Sequence, residues 1–230
     1  MKRLFAVYGF SGFGREVCPV LQSQLEGQPR DSAPCEVVYI DDAATDGQML
    51  NGLEVHTFNS FLNKPADERQ VVVAIADAAI RQKLTHRCEQ AGVPQFSVRA
   101  ENVVELDNVE IGEGSILCPF VTLTSDIKIG KSFHANIYSY VAHDCVIGDY
   151  VTFAPRVNCN GNVHIGDCAY IGTGAVFKQG TPRRPLVVGK GAVVAAGAVV
   201  TKNVPAGATV FGNPAVPLTR ANLEARRDRG

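Results

Sequence analysis

The sequence predicts an α/β N-terminal domain with a short parallel sheet over residues 1–100. An all-β parallel β-helix follows over residues 101–217, and then a short tail over 218–230. Three observations predict this: a six-residue cadence of apolar residues beyond about residue 100, alternating strand-like and helix-like segments before it, and a glycine-rich turn after the first strand.

Composition narrows the field first. The chain has 230 residues, 46% of them hydrophobic and 20% charged, enough to bury a core and unlike a disordered polymer. A formal net charge of −1 argues against nucleic acid as a partner. No stretch reaches the roughly 18 uninterrupted apolar residues of a membrane span. The start, Met1-Lys2-Arg3 followed by Leu4-Phe5-Ala6-Val7-Tyr8, is basic and then apolar, as a signal peptide would be. Its apolar run is shorter than the roughly 7–15 residues of such a segment, so a buried strand and a cytoplasmic chain are expected. The 7 cysteines form no Cys-x-x-Cys pair, so neither a zinc site nor a disulfide framework is expected, only reduced and mostly buried thiols.

Lys2–Tyr8 reads as the first strand, and a helical pattern runs on through Val17, Val20, Leu21 and Leu25. A second strand, Glu36–Ile40, ends at Asp41-Asp42, and a third, Gln70–Ala76, ends at Asp77 before a helix from Ala78 to Gly92. Val93–Val98 is expected to add another strand. Strands alternating with helices imply a parallel sheet. Between the first strand and helix stands Gly9-Phe10-Ser11-Gly12-Phe13-Gly14. Free N–H groups and the positive dipole end at a helix start favour an anion there. The spacing Gly-x-x-Gly-x-Gly is not the dinucleotide fingerprint. Asp41 also lies 27 positions past Gly14, where that fingerprint asks for about 20, so a redox dinucleotide is disfavoured. Arg15 can add charge to a diphosphate, and Asp41 or Asp42 can accept from a ribose.

From Ile111 the cadence runs through Leu117, Leu123, Ile129, Ala135, Val141, Ile147, Phe153, Cys159, Ile165 and Ile171 to Phe177. A small or β-branched residue sits four places after most of these slots, with Phe133 the bulky exception, and Gly often follows the slot directly. The frame breaks at Gly180–Pro185 and resumes at Val188, Val194 and Val200. Such a period fits short strands wound into a three-sided coil, with residues 18 apart stacked on one face at roughly 4.8 Å per layer.

This hexad resembles that of the hexapeptide-repeat acyltransferases over about residues 103–217. The resemblance implies a left-handed coil, homotrimers with active sites between subunits, and acetyl-CoA as co-substrate. Joined to the turn Tyr8–Gly14 and the pair Asp41-Asp42, the whole chain resembles the bacterial N-acetyltransferases of nucleotide-linked 4-amino-4,6-dideoxy sugars, the bacillosamine and perosamine type. Phe13 stands where that family often has His.

The segment Ser139–Gly148 resembles the family stretch that holds the catalytic His. His143 takes the third position of its hexad, pointing away from the core, and is expected to be the general base, since neutral imidazole suits proton removal near pH 7. Asp144, where the family commonly has Glu, is expected to orient it, provided the chain turns there. Gly161, one coil turn later, is expected to leave room for a thioester and to offer its N–H to an oxyanion; its ordinary reading is a corner glycine with unusual backbone angles. Cys145 falls in a core-facing slot, so direct attack by the amine is expected rather than a covalent acyl-enzyme.

The resemblance implies nucleotide-sugar binding at Gly9, Ser11, Gly12, Gly14, Arg15, Asp41, Asp42 and Asp77. Acetyl-CoA binding is implied at Gly161, Gly180, Ala196, Gly197, Asn213 and Pro214. Arg183, Arg184, Lys190 and Lys202 are further candidates for its phosphates, and no metal is expected. An O-acetyltransferase of a sugar or sialic-acid-like substrate is the alternative on this scaffold. A zinc lyase is disfavoured because His134, His143 and His164 fall at scattered phases of the coil. The arginine-rich tail is expected to be a short solvated helix.

Overall fold

The computed structural model describes residues 2–27 and 34–227, and these divide into two compact units: those up to residue 101 together with 113–116, and residues 102–112 together with those from 117 onward.

In the first unit, β1 (Arg3–Tyr8), β2 (Cys35–Ile40), β3 (Gln48–Leu50), β4 (Leu53–His56) and β5 (Glu68–Val73) form one sheet in the order β3-β4-β2-β1-β5. β1 pairs in parallel with both β2 and β5, which explains its unbroken apolar run: it is central and covered on both faces. α1 (Gly12–Glu26) buries Val17, Cys18, Leu21 and Leu25, a stripe at helical spacing. α2 (Phe58–Asn63) buries Phe58 and Phe61, and α3 (Ala78–Gln90) buries Arg81, Thr85 and Cys88. The core joins Leu4, Ala6, Val38, Ile40, Phe61, Val71, Val73 and Val93.

One stretch without an expectation is filled here, and one expectation is corrected. The β3–β4 hairpin and α2 fill a stretch between Asp42 and Glu68 that carries no clear period. Val93–Val98 is not a full strand: Gln95 bridges Val71, and a two-residue strand begins only at Val98.

The second unit is a left-handed parallel β-helix of two- and three-residue strands on three faces. Tyr140 pairs with Asn158 and Asn158 with Val176; Lys128 pairs with Val146 and Val146 with His164; His134 pairs with Thr152 and Thr152 with Tyr170. Every apolar slot from Leu117 to Phe177 is buried, and so are their companions. Phe133 fits because its ring packs edge-on against Phe153 at 5.1 Å.

The corners follow the same cadence. Asp126, Ser132, Tyr138, Asp144, Tyr150, Arg156, Asn162 and Cys168 all have φ between 53° and 61°. Side chains other than glycine resist this left-handed conformation by about 1–2 kcal/mol each. The stacked rungs offset that cost: the corner N–H groups of Asp144, Tyr150 and Arg156 donate to Ser125, Lys131 and Ile137 of the preceding rung at 3.1, 2.8 and 2.9 Å. The glycines after the apolar slots serve another purpose. A Cβ on Gly148 would lie 2.6 Å from the Asp167 nitrogen of the next rung. The coil ends in an antiparallel pair, Thr209–Phe211 with Val216–Pro217, followed by α4 (Arg220–Arg227).

Candidate active site

His143 projects from the corner beside the strand Tyr140–Val141, with its side chain 48% exposed. Adjacent strand residues would point apart, but the left-handed backbone of Asp144 (φ 58°) bends the chain and brings the two side chains together. The Asp144 Oδ2 lies 2.7 Å from His143 Nδ1. Assigned from this contact, Nδ1 carries the proton and donates it to the carboxylate. Nε2 is then left with a lone pair, the form a general base needs.

The coil register carries His143 onto Gly161 and Gly161 onto Gln179. A Cβ on Gly161 would lie 2.5 Å from both Cε1 and Nε2 of the imidazole. Any larger residue would displace the ring from this position. Its backbone is not the unusual one expected of a corner glycine: Asn162 takes the corner, with φ 57°, and donates to the His143 carbonyl at 2.9 Å.

Sequence reasoning passed over the neighbouring network. Tyr140 donates its hydroxyl to Asn160 Oδ1 at 2.6 Å, and Asn160 Nδ2 donates to the Phe177 carbonyl at 2.8 Å. The repeat arithmetic that found Gly161 finds Asn160 as well, one residue earlier. Cys145 is buried, with its thiol directed at the Asn160 carbonyl at 3.3 Å. A hydrogen bond between the Cys145 and Cys159 thiols, together with burial, holds Cys159 well above the ordinary thiol range. Neither sulfur faces the imidazole's solvent side.

Above Gly161 the coil carries a groove of about 500 Å³, lined by Lys178, Gln179, Gly180, Arg184, Pro185, Leu186, Val187, Thr201, Lys202 and Asn203. Gly180 donates to the Gly161 carbonyl at 2.9 Å, and the loop behind it closes through paired Thr181–Arg184 hydrogen bonds. The groove gathers Lys178, Arg184 and Lys202. Arg183 and Lys190 do not line it. Ala196 and Gly197 are exposed at another corner, where Gly197 (φ 68°) donates to Thr173 at 2.8 Å. Asn213 and Pro214 are exposed in the closing turn of the coil.

In the first unit the strand order reverses between β1 and β5, and open α/β sheets take ligands at the carboxyl ends of strands at such a point. The Gly9–Gly14 turn follows β1, and Asp77 follows β5. Gly9 has φ 108°, and a Cβ on Gly14 would lie 1.9 Å from the Gly9 carbonyl oxygen, so both positions demand glycine. Ser11 caps α1 without using its side chain, and Arg15 is exposed in the first turn. Asp77 caps α3 by accepting from the Ile80 N–H at 2.8 Å. Arg81, fully buried, donates to the carbonyls of Ile75 and Ala76 at 2.6 and 3.0 Å and so fixes the β5–α3 loop.

The two aspartates after β2 differ. Asp41 accepts from the Ala43 N–H at 2.9 Å in a local turn. Asp42 is held by contacts within the unit. It accepts from the Tyr8 hydroxyl, Arg87, and the Phe58 N–H at 3.1 Å, while the Arg87 guanidinium lies 4.4 Å above the Phe58 ring. Burial pushes the Tyr8 hydroxyl far above its usual range, and the Asp42 hydrogen bond reinforces this. Asp42 therefore sets loop geometry, while its side chain remains 44% exposed. Arg81 and Arg87 lie on a helix whose spacing gives no hint of either contact.

Comparison with known proteins extends this geometry. Residues 5–88 match the PglD N-terminal domain family. Over 218 residues, 95% of this chain and 97% of the relative, the sequence is 48% identical to the GDP-perosamine N-acetyltransferase of Escherichia coli O157:H7. WeeI from Acinetobacter baumannii AYE superposes with a TM-score of 0.88 and 58% identity, covering 94% of this chain and 100% of that one. The acetyltransferase domain of PglB from Neisseria gonorrhoeae FA1090, solved in complex with acetyl coenzyme A, gives a TM-score of 0.81 and 28% identity, covering 95% and 100%.

Proposed function

This chain belongs to the hexapeptide-repeat sugar N-acetyltransferases, and from that premise we propose that it acetylates the 4-amino group of a nucleotide-linked 4-amino-4,6-dideoxy sugar. A GDP-linked sugar is the first candidate, since a relative nearly half identical over the whole chain carries the name GDP-perosamine N-acetyltransferase. The observation that carries the reading is the column of His143 over Gly161, with Nδ1 engaged by Asp144 and Nε2 open.

His143 Nε2 takes a proton from the sugar amine as its nitrogen attacks the thioester carbonyl. Asp144 holds the ring in the required tautomer and stabilises the imidazolium. The Gly161 N–H donates to the carbonyl oxygen as it becomes negative, a donor of the kind typically worth about 3–4 kcal/mol. Collapse breaks the C–S bond, and the proton on His143 leaves with the thiolate, giving the acetamido sugar and CoA.

The donor fits along the groove above Gly161, where Gly180 keeps the wall low and Lys178, Arg184 and Lys202 meet CoA phosphates. Ala196, Gly197, Asn213 and Pro214 serve the more distant part of CoA. Residues 1–100 form the nucleotide-sugar module. Its diphosphate lies on the turn Gly9, Ser11, Gly12 and Gly14, with Arg15 adding charge, Asp41 taking the ribose, and Asp42 and Asp77 shaping the site. The working assembly is a homotrimer with active sites between subunits, in the cytoplasm where both substrates are made, supplying an acetylated sugar for lipopolysaccharide or other glycan synthesis.

The test is CoA release with GDP-, UDP- and dTDP-linked 4-amino sugars, with product mass and native mass spectrometry. Amide formation on the GDP sugar by a trimer is expected. Acetylation of a hydroxyl, or no turnover with any 4-amino sugar, overturns the reading.

A further inference from the structure

The site described above uses the Gly161 N–H but leaves open what aims it. A trans peptide holds its C=O and N–H on opposite sides, so the direction of the Asn160 carbonyl decides the direction of the Gly161 N–H. That carbonyl turns inward. Its closest partner is the buried Cys145 thiol at 3.3 Å, with Cys159 behind at 3.9 Å. The N–H of Gly161 therefore points outward, on the imidazole side.

The tether has a counterpart in the coil. Ser139 occupies the same hexad slot one hexad earlier and donates to the Ala154 carbonyl at 3.0 Å, across the same 15-residue separation as Cys145 to Asn160. In the next three hexads this slot holds Val151, Val157 and Val163, which carry no donor. The difference falls where it matters. Gly161 lacks the side chain that would restrict its peptide, because the imidazole leaves no room for one. A buried carbonyl without a partner would rotate to find one and take the N–H with it. Asn160 adds a second restraint through Tyr140 and the Phe177 carbonyl.

We propose that Cys145 is a positioning residue: its thiol anchors the Asn160 carbonyl in the core and so aims the Gly161 N–H at the developing oxyanion. This rests on the oxyanion role given to Gly161 above. It also gives a use to a buried thiol that the acyl transfer itself leaves idle.

Two substitutions pull in opposite directions. Cys145→Val fills the slot as the coil does elsewhere but donates nothing; Cys145→Ser is undersized but keeps a donor. The proposal expects C145V to lose kcat by at least about tenfold with the KM for acetyl-CoA within about twofold, and C145S to retain most of kcat. A role in packing alone gives the reverse order, or equal losses, and overturns it. If C145V does not fold, C145A, matched to serine in volume, replaces it in the same comparison.

A second measurement separates this proposal from its premise. A tetrahedral phosphonate bisubstrate should bind wild type far more tightly than the planar amide bisubstrate, and C145V should lose that preference. No preference in wild type removes the oxyanion role and the proposal with it. A preference that C145V retains overturns the tether alone.

Discussion

In the coil, His143, Gly161 and Gln179 share a column because each rung advances the chain by 18 residues, so one register fixes them all. In the N-terminal unit, Tyr8, Asp42 and Arg87 meet although they lie on a strand end, a loop and a helix, with 34 residues separating the first two and 45 the last two. The first arrangement repeats a local rule, and an outward side chain such as His143 can be shortened without loss of the register. The second is a closed set of contacts in which each member holds the others, so chemistry and stability are separable in the coil and entangled in the sheet domain.

The largest effect should appear where separation is cleanest. His143→Ala removes an exposed ring whose only side-chain partner among the described residues is Asp144, so folding should be untouched. Loss of a general base typically costs about 10²- to 10⁴-fold in kcat, and part of the loss should return at high pH, where the free amine needs less help. An unfolded H143A protein would contradict the separation; a folded one with full activity would remove His143 from the chemistry.

Next comes a substitution in the glycine turn, where the two roles should fail together. Gly14→Ala places a methyl 1.9 Å from the Gly9 carbonyl, a backbone clash that no rotamer relieves. We expect about 2–4 kcal/mol of destabilisation, visible in denaturant unfolding, together with a raised KM for the nucleotide sugar. A raised KM with unchanged stability would show that the turn is specialised for the ligand and tolerates strain.

A smaller effect is expected in the groove. Lys202→Ala removes one exposed cation and should raise the KM for acetyl-CoA by roughly fivefold, about 1 kcal/mol, with kcat unchanged and the effect weakening as salt rises. The same substitution at Lys190, which does not line the groove, should leave the KM alone. Equal effects at both positions would mean that general surface charge, not the groove, attracts the donor.

The same contrast explains what could be read without coordinates. The apolar slots, the outward direction of His143 and the stacking of Gly161 beneath it all follow from a six-residue period. The turn at Asp144 was stated as a condition, and its left-handed φ meets it. The sheet domain yielded its strands and the Gly9–Gly14 turn, because buried runs and glycine spacing are local signals. The β3–β4 hairpin and α2 escaped because their stretch shows no period. Arg81 and Arg87 escaped because a charged residue on a helix reads as a solvated one until the fold buries it, as with Arg81, or supplies its partner, as Asp42 does for Arg87. A carboxylate at a strand end is chemically fit for a ribose, and only the fold shows that Asp42 also accepts from Tyr8, Phe58 and Arg87.

The weakest expected effect isolates that entanglement by pH. Burial pushes the Asp42 carboxyl up, but hydrogen bonds from Tyr8, the Phe58 N–H and Arg87 outweigh it and hold the group below the ordinary carboxylate range. A carboxyl depressed on folding stabilises the native state above its unfolded pKa of about 3.9, and that contribution fades as pH falls through the lower folded value. Asp42→Asn has no proton to gain there. It should therefore melt below wild type near pH 7, and the gap should close as the solution is taken below about pH 4. Asp46, Glu36 and Glu54 are held low as well, so the acid limb of wild type should flatten in the variant but not vanish. A constant gap for D42N would mean that the Tyr8–Asp42–Arg87 contact works through shape alone.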